Sequence, residues 1–140
     1  MNISYRHDAI LTPEAYADVL NRTSLGARRP VGDPNAVALM LQHADILITA
    51  WDAEKLVGVA RSFTDRAFVT YLADLAVDEA YQKQGIGKQL IAETAKQCLP
   101  TCRIVLFAAP DAETYYGRVG LYPMTTGWGL AAGTLPKGTA

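Results

Sequence analysis

The stretch Asp74-Leu-Ala-Val-Asp-Glu-Ala-Tyr-Gln-Lys-Gln-Gly-Ile-Gly-Lys-Gln-Leu-Ile91 constrains the fold more than any other part of the chain. It begins as an apolar strand, crosses a short acidic turn and opens a helix through Gln82-Lys83-Gln84-Gly85-Ile86-Gly87. A strand, a glycine loop and a helix in that order aim several backbone N–H groups at one point. The positive end of the helix dipole lies behind them, so the loop is a ready anion site. Gly85 and Gly87 carry no Cβ and let a bulky phosphate come close to the backbone.

Two familiar glycine loops are excluded. A dinucleotide fingerprint needs a third glycine three residues after Gly87, where Leu90 stands. A P-loop needs a glycine at position 82 and Ser or Thr at position 89, and the chain has Gln82 and Gln89. Composition narrows the class further. The 140 residues suit one domain, and half of them are hydrophobic, enough for a real core. A net charge of −1 gives no general attraction to nucleic acid or to an anionic membrane. No apolar run approaches the roughly 20 residues of a membrane helix, and the first residues lack the pattern of a signal peptide. Cys98 and Cys102 are too few for a disulfide scaffold and find no partners for zinc, and His7 and His43 stand far apart. The expectation is a cytoplasmic protein with reduced, structural cysteines and no metal.

Along the chain, Ile3–Arg6 alternates as a first strand. Thr12-Pro13-Glu14 starts a helix whose apolar face is Tyr16, Val19 and Leu20. Residues 21–32 form a polar connection holding Arg28 and Arg29, and Asp33-Pro34 opens a second helix with Val37, Met40 and Leu41 as its stripe. Ile46–Trp51 and Leu56–Phe63 read as a hairpin, and Ala67–Val77 as a long strand buried on both faces, with Asp74 its one charge. A helix from Gly85 to about Leu99 carries Ile86, Leu90, Ile91, Ala95 and Cys98 at helical spacing and stops at Pro100. Arg103–Ala108 is then a buried strand parallel to Ala67–Val77, since it follows a strand–helix crossover. Pro110-Asp111 starts a short helix ending at Gly120, and the last twenty residues have room for one or two short strands.

Gln82, Gly85 and Gly87 match the Gln/Arg-x-x-Gly-x-Gly/Ala loop of the GCN5-related N-acetyltransferases. The strand before them and Tyr115-Tyr116-Gly-Arg-Val-Gly120-Leu121 after them stand at that family's distances. The chain thus resembles this family along nearly its whole length, which implies an α/β fold with a mixed central sheet. In that family two parallel strands splay apart and acetyl-coenzyme A lies in the gap, its pantetheine amides taking the hydrogen bonds of a missing strand. The resemblance puts the pantetheine arm on Leu75-Ala76-Val77, chiefly on the main chain of Leu75 and Val77. It puts the pyrophosphate on the backbone of Gln82, Lys83, Gln84, Gly85, Ile86 and Gly87. Lys83 and Lys88 then add positive charge, or are ordinary solvated lysines.

The same resemblance makes Tyr116 the proton donor to the departing thiolate, although a phenol of pKa about 10 is a weaker acid than a thiol of about 8.5. Its alternative is that Tyr115 and Tyr116 are simply core residues. A primary ammonium is neutral in about one molecule in a thousand at pH 7, a handicap near ~4 kcal/mol, so a base or water chain is needed. Asp74 is the best carboxylate for that task if desolvation raises its pKa; otherwise it braces the splayed strand. Asp78 and Glu79 look solvated. Leu56-Val-Gly-Val-Ala-Arg61, Thr64-Asp65 and Asp74 are similar to the arylalkylamine acetyltransferase branch. Arg28, Arg29 and Tyr71 then sit where the acceptor binds, the arginines either receiving a carboxylate or facing solvent. The reading is acetyl transfer to a primary amine of a small molecule. A protein lysine or N-terminus as acceptor and a non-catalytic acyl-coenzyme A sensor are its rivals, and a homodimer is left open.

Overall fold

The computed structural model describes residues 2–134. The chain divides between Ala109 and Pro110 into two compact units. In the first, strands β1 (Ile3–Arg6), β2 (Ile46–Asp52), β3 (Lys55–Thr64), β4 (Val69–Val77) and β5 (Arg103–Val105) form one sheet in that order. The pairings among the first four are antiparallel, and β5 runs parallel to β4.

Helix α1 (Pro13–Asn21) starts as its sequence dictates, with the Thr12 hydroxyl accepting from the Ala15 N–H at 3.1 Å. Helix α2 (Pro34–Gln42) is capped by Asp33, which accepts from Asn35 and Ala36. The two helices cover one sheet face, where Tyr16, Val19, Leu20 and Val37 pack on Leu56, Val59 and Ala76. On the other face Ile86 and Leu90 of α3 (Ile86–Lys96) pack on Ile46, Ile48, Val57 and Leu72. Each large apolar side chain buried in this way contributes about 1.5–3 kcal/mol. Ala95 is exposed and Thr94 takes the buried place, its hydroxyl donating to the Leu90 carbonyl at 2.8 Å. The helix ends at Lys96, short of the expected Leu99. Cys98 and Cys102 are free thiols whose sulfurs lie 3.2 and 3.0 Å from the Thr70 hydroxyl.

Two departures from the sequence reading build the site. Strand β4 is not buried on both faces: its residues alternate, and Val69 and Tyr71 are over a third exposed. It also carries a bulge. Arg61 pairs with Asp74 and Ser62 with Leu72, so Ala73 has no partner on β3. Phe63 and Arg61 share a face of the unbulged strand, and through them Tyr71 and Asp74 come to one face although they are three residues apart. The second departure is β5, which has only three residues where six are expected and pairs only with Val69, Thr70 and Tyr71. Among the described residues no strand pairs with that edge of β4 beyond Tyr71.

The second unit holds a 3-10 turn, Pro110–Ala112, and helix α4 (Glu113–Arg118). Gly120 follows at φ 104°, a left-handed conformation that suits glycine, and the Leu121 N–H closes on the Tyr116 carbonyl at 3.0 Å. Among the described residues no strand follows, only a 3-10 turn at Ala132–Thr134. The short C-terminal strands are therefore absent up to Thr134, and residues 135–140 lie outside the described residues.

Candidate active site

The glycine loop begins where β4 ends. Gly85 caps α3 at φ 83° with no side-chain cap, and a Cβ built there would meet nothing within 4 Å. Open space in front of an uncapped helix start suits an anion, because the first N–H groups have no other acceptor. Gln82, Lys83, Gln84 and Lys88 are exposed, Gly87 is half-buried, and Ile86, 3% exposed, pins the helix to the core. The Gln82 side chain donates to the Val77 carbonyl at 3.1 Å and ties loop to strand. Asp78 is buried rather than solvated: it pairs with Arg22 and Lys55 and accepts from the Ala80 N–H at 2.9 Å. Glu79 is exposed, as expected.

The Asp78 N–H bonds the Val57 carbonyl on β3. Backbone groups alternate sides along a strand, so Ala76 also turns to β3, while Leu75 and Val77 turn their N–H and C=O to the open edge. That edge therefore presents the polar backbone groups of Leu75 and Val77, the Val77 carbonyl already accepting from the Gln82 side chain; Ala76, grouped with them on sequence, turns its polar groups to β3.

Asp74 is the hub of the first unit and is 1% exposed. Its Oδ2 accepts from the Tyr16 hydroxyl and from Arg61 Nε, each at 2.6 Å, and its Oδ1 from Arg29 Nε at 2.5 Å. Arg29 also donates to the Ala73 carbonyl at 2.8 Å, which fastens the bulge. Burial alone pushes the Asp74 carboxyl up. The hydrogen bond and charge of Arg61, with Tyr16 and Arg29 added, outweigh it and hold the carboxyl below its ordinary range. This corrects the expectation of a raised pKa: desolvation is present, but two guanidiniums sit inside it. Burial and the neighbouring Asp74 push the Tyr16 phenol well up, so it stays a neutral donor.

Beside this hub is a cavity of about 460 Å³ lined by Leu25, Arg28, Arg29, Met40, Arg61, Phe63, Tyr71, Ala73 and Phe107 to Ala109. Phe63 and Tyr71 stack at 6.5 Å, and Phe107 meets Tyr71 edge-on at 5.9 Å. The structure thus brings Arg28, Arg29 and Tyr71 to one cavity next to Asp74. Arg29 is not a solvated loop residue; Arg28 is exposed. Sequence reasoning missed Tyr16, Arg61, Phe63 and Phe107 as site residues. The signal for Arg61 was present: it is the one charge between Leu56 and Phe63, as Asp74 is on the strand that pairs with it.

Tyr116 lies in the second unit, half-buried, with its ring edge-on to Tyr115 at 5.2 Å. Burial raises the Tyr115 phenol.

The family model described as "Acetyltransferase (GNAT) domain" matches residues 30–126. The uncharacterized N-acetyltransferase ycf52 of Porphyra purpurea is 30% identical over 90 residues, 60% of this chain and 52% of that protein. Histone acetyltransferase TAP1 of Glycine max is 35% identical over 71 residues, 49% of this chain and 31% of that protein. The chain thus spans about half the length of these relatives or less. A crystal structure from Staphylococcus aureus, described as a "Probable Acetyltransferase", superposes with a TM-score of 0.73 at 22% identity, covering 93% of this chain and 98% of that one. At that identity the likeness speaks for the fold.

Proposed function

The chain belongs to the GNAT acetyltransferase family, and from that premise we propose that it transfers an acetyl group from acetyl-coenzyme A to the primary amine of a small molecule by direct attack in a ternary complex. The observation that carries this reading is the edge of β4 beyond Tyr71, which pairs with no strand among the described residues and is followed by the Gly85-capped start of α3. Leu75 and Val77 hold the pantetheine arm, and the backbone from Gln82 to Gly87 holds the pyrophosphate, with Lys83 and Lys88 adding charge. When bound, acetyl-coenzyme A would supply an activated thioester: the acceptor ammonium gives one proton to solvent, the neutral amine then forms the C–N bond as the C–S bond breaks, and a second nitrogen proton ends on the departing sulfur. Tyr116 hydrogen-bonds that sulfur and delivers the proton late. Asp74 positions Arg29 and Arg61 rather than taking the amine proton, because three donors, two of them guanidiniums, converge on its carboxylate and hold its pKa down. Water in the cavity takes that proton.

A protein acceptor is the second reading, favoured by the relative named a histone acetyltransferase. The cytoplasmic location stays part of this proposal; among the described residues no helix is long and apolar enough to cross a membrane. Thermal shift with acetyl-coenzyme A tests the donor site. At a hundred times Kd the ligand adds about 2.7 kcal/mol, roughly 10 °C of Tm for a chain of this size. Gly85→Glu puts bulk and negative charge at the pyrophosphate and removes the shift. An unchanged shift in folded Gly85→Glu protein refutes the donor site. Thiol release with a panel of amines and a lysine peptide identifies the acceptor.

A further inference from the structure

The cavity beside Asp74 is basic and aromatic at once. Arg28, Arg29 and Arg61 line it, and among the described residues no Asp or Glu does. The single carboxylate that compensates them, Asp74, is shared between Arg29 and Arg61. Arg29 spends donors on Asp74, the Ala73 carbonyl and the Arg28 carbonyl. Arg61 differs. Its residue is 5% exposed, and it gives only Nε to Asp74. Among the described residues neither Nη1 nor Nη2 of Arg61 is spent on a carboxylate or a carbonyl, and the neutral Tyr16 phenol is the polar side chain beside the same guanidinium. Among the buried polar side-chain atoms of the described residues that are cut off from solvent, only Ser62 Oγ lacks a partner. The two Arg61 nitrogens are thus not sealed and unpartnered, and Arg61 is one of the residues that line the cavity. The ring of Phe63 lies 5.3 Å from the same guanidinium, steadying its plane.

A nearly buried guanidinium held by one edge, with its other edge turned to a cavity, is a fork for a planar anion. We infer that Arg61, assisted by Arg28, receives a carboxylate carried by the acceptor, so that the amine acetylated is one that also bears a carboxylate and an apolar or aryl body packed on Phe63, Tyr71 and Phe107. This inference rests on the transferase reading above. The bulge at Ala73 matters to it, because it sets Tyr71 on the face of the Arg61–Asp74 pair. Carboxylate rather than a bulkier phosphate fits a site offering one forked edge between aromatic walls.

Matched pairs that differ by one carboxylate test it: tryptamine against tryptophan, phenethylamine against phenylalanine, and cadaverine against lysine. Two readouts are taken, kcat/KM by thiol release and, without donor, affinity by calorimetry. The carboxylate-bearing member is expected to lead by at least about tenfold in one or more pairs, with the lead falling as salt rises. Arg61→Lys should cut that ratio about tenfold, since an ammonium cannot fork. Arg28→Gln, at an exposed residue that leaves the Asp74 pairs intact, should cut it several-fold and carries the test if Arg61→Lys fails to fold. Equal or reversed preference in all three pairs overturns the inference. Binding of the amino acids with no turnover of any amine refutes the transferase reading and leaves the carboxylate site standing. Succinyl-coenzyme A preferred over acetyl-coenzyme A, with tryptamine as acceptor, puts the carboxylate on the donor and overturns the acceptor assignment.

Discussion

Replacing Asp74 by Asn separates a base from a brace. Asn keeps the volume but offers one acceptor oxygen where three donors converge at 2.5 to 2.6 Å. Its amide hydrogens point at donors, and Arg61, 6% exposed at its side chain, loses its counter-charge. Breaking a buried pair costs about 3–5 kcal/mol. Arg29, a quarter exposed, recovers water, so the lower end applies, about 3 kcal/mol. For a chain of this length that is a Tm fall of about 10 °C. The pH dependence has a definite sign. The Asp74 carboxyl is lowered in the fold, so its stabilisation is complete above the ordinary carboxylate pKa of about 3.9 and fades as pH falls through the folded value. Wild type and Asp74→Asn should therefore differ by a constant amount above about pH 5 and converge below about pH 4. Circular dichroism melts from pH 3 to 8, with kcat/KM profiles alongside, supply the data. An unchanged Tm with a hundredfold loss of kcat/KM and a missing acidic limb would show that Asp74 is the base after all.

Further outcomes follow from the same geometry. Tyr116→Phe should lower kcat by roughly 10²-fold while the acetyl-coenzyme A thermal shift persists; a larger loss from Tyr115→Phe would exchange the roles of the two phenols. Gly58→Val should destabilise by about 2 kcal/mol or more in urea melts, because even a Cβ there sits 3.2 Å from the Ala76 carbonyl and from Leu90 Cδ1. A neutral result would mean that β3 and α3 can separate at that point. Thr12→Ala should cost about 1 kcal/mol by the same assay through loss of the α1 cap, and no change would show that Pro13 suffices to start the helix.

Much of the architecture was legible because local rules agree with it. Thr12-Pro13 and Asp33-Pro34 cap their helices as their side chains dictate, and the glycine loop opens α3. The site was legible in pieces. Asp74 could be named from its apolar strand, and Arg29 and Tyr71 from the family resemblance, but what they touch depends on contacts between distant segments. Asp74 accepts from Tyr16, 58 residues away, and from Arg29, 45 away. No window along the sequence holds both partners, so desolvation was visible and its compensation was not. The bulge was hidden for a related reason. Period-two reading of Tyr71-Leu-Ala-Asp74 puts its ends on opposite faces, and only pairing with β3 shows the extra residue.

That extra residue divides β4 into two lengths that read in different phase. Before it, Tyr71 faces the cavity while Leu72 feeds the core; after it, Leu75 and Val77 lean on the α3 side while Asp74 and Ala76 meet the α1 side. Position 71 can therefore change with the acceptor without disturbing the register that presents Leu75 and Val77 at the open edge. A deletion at Ala73 has no such freedom. It would put the two lengths back in step, carrying Tyr71 into the core or Asp74 out of its guanidinium pair, and the loss would exceed that of any single side chain.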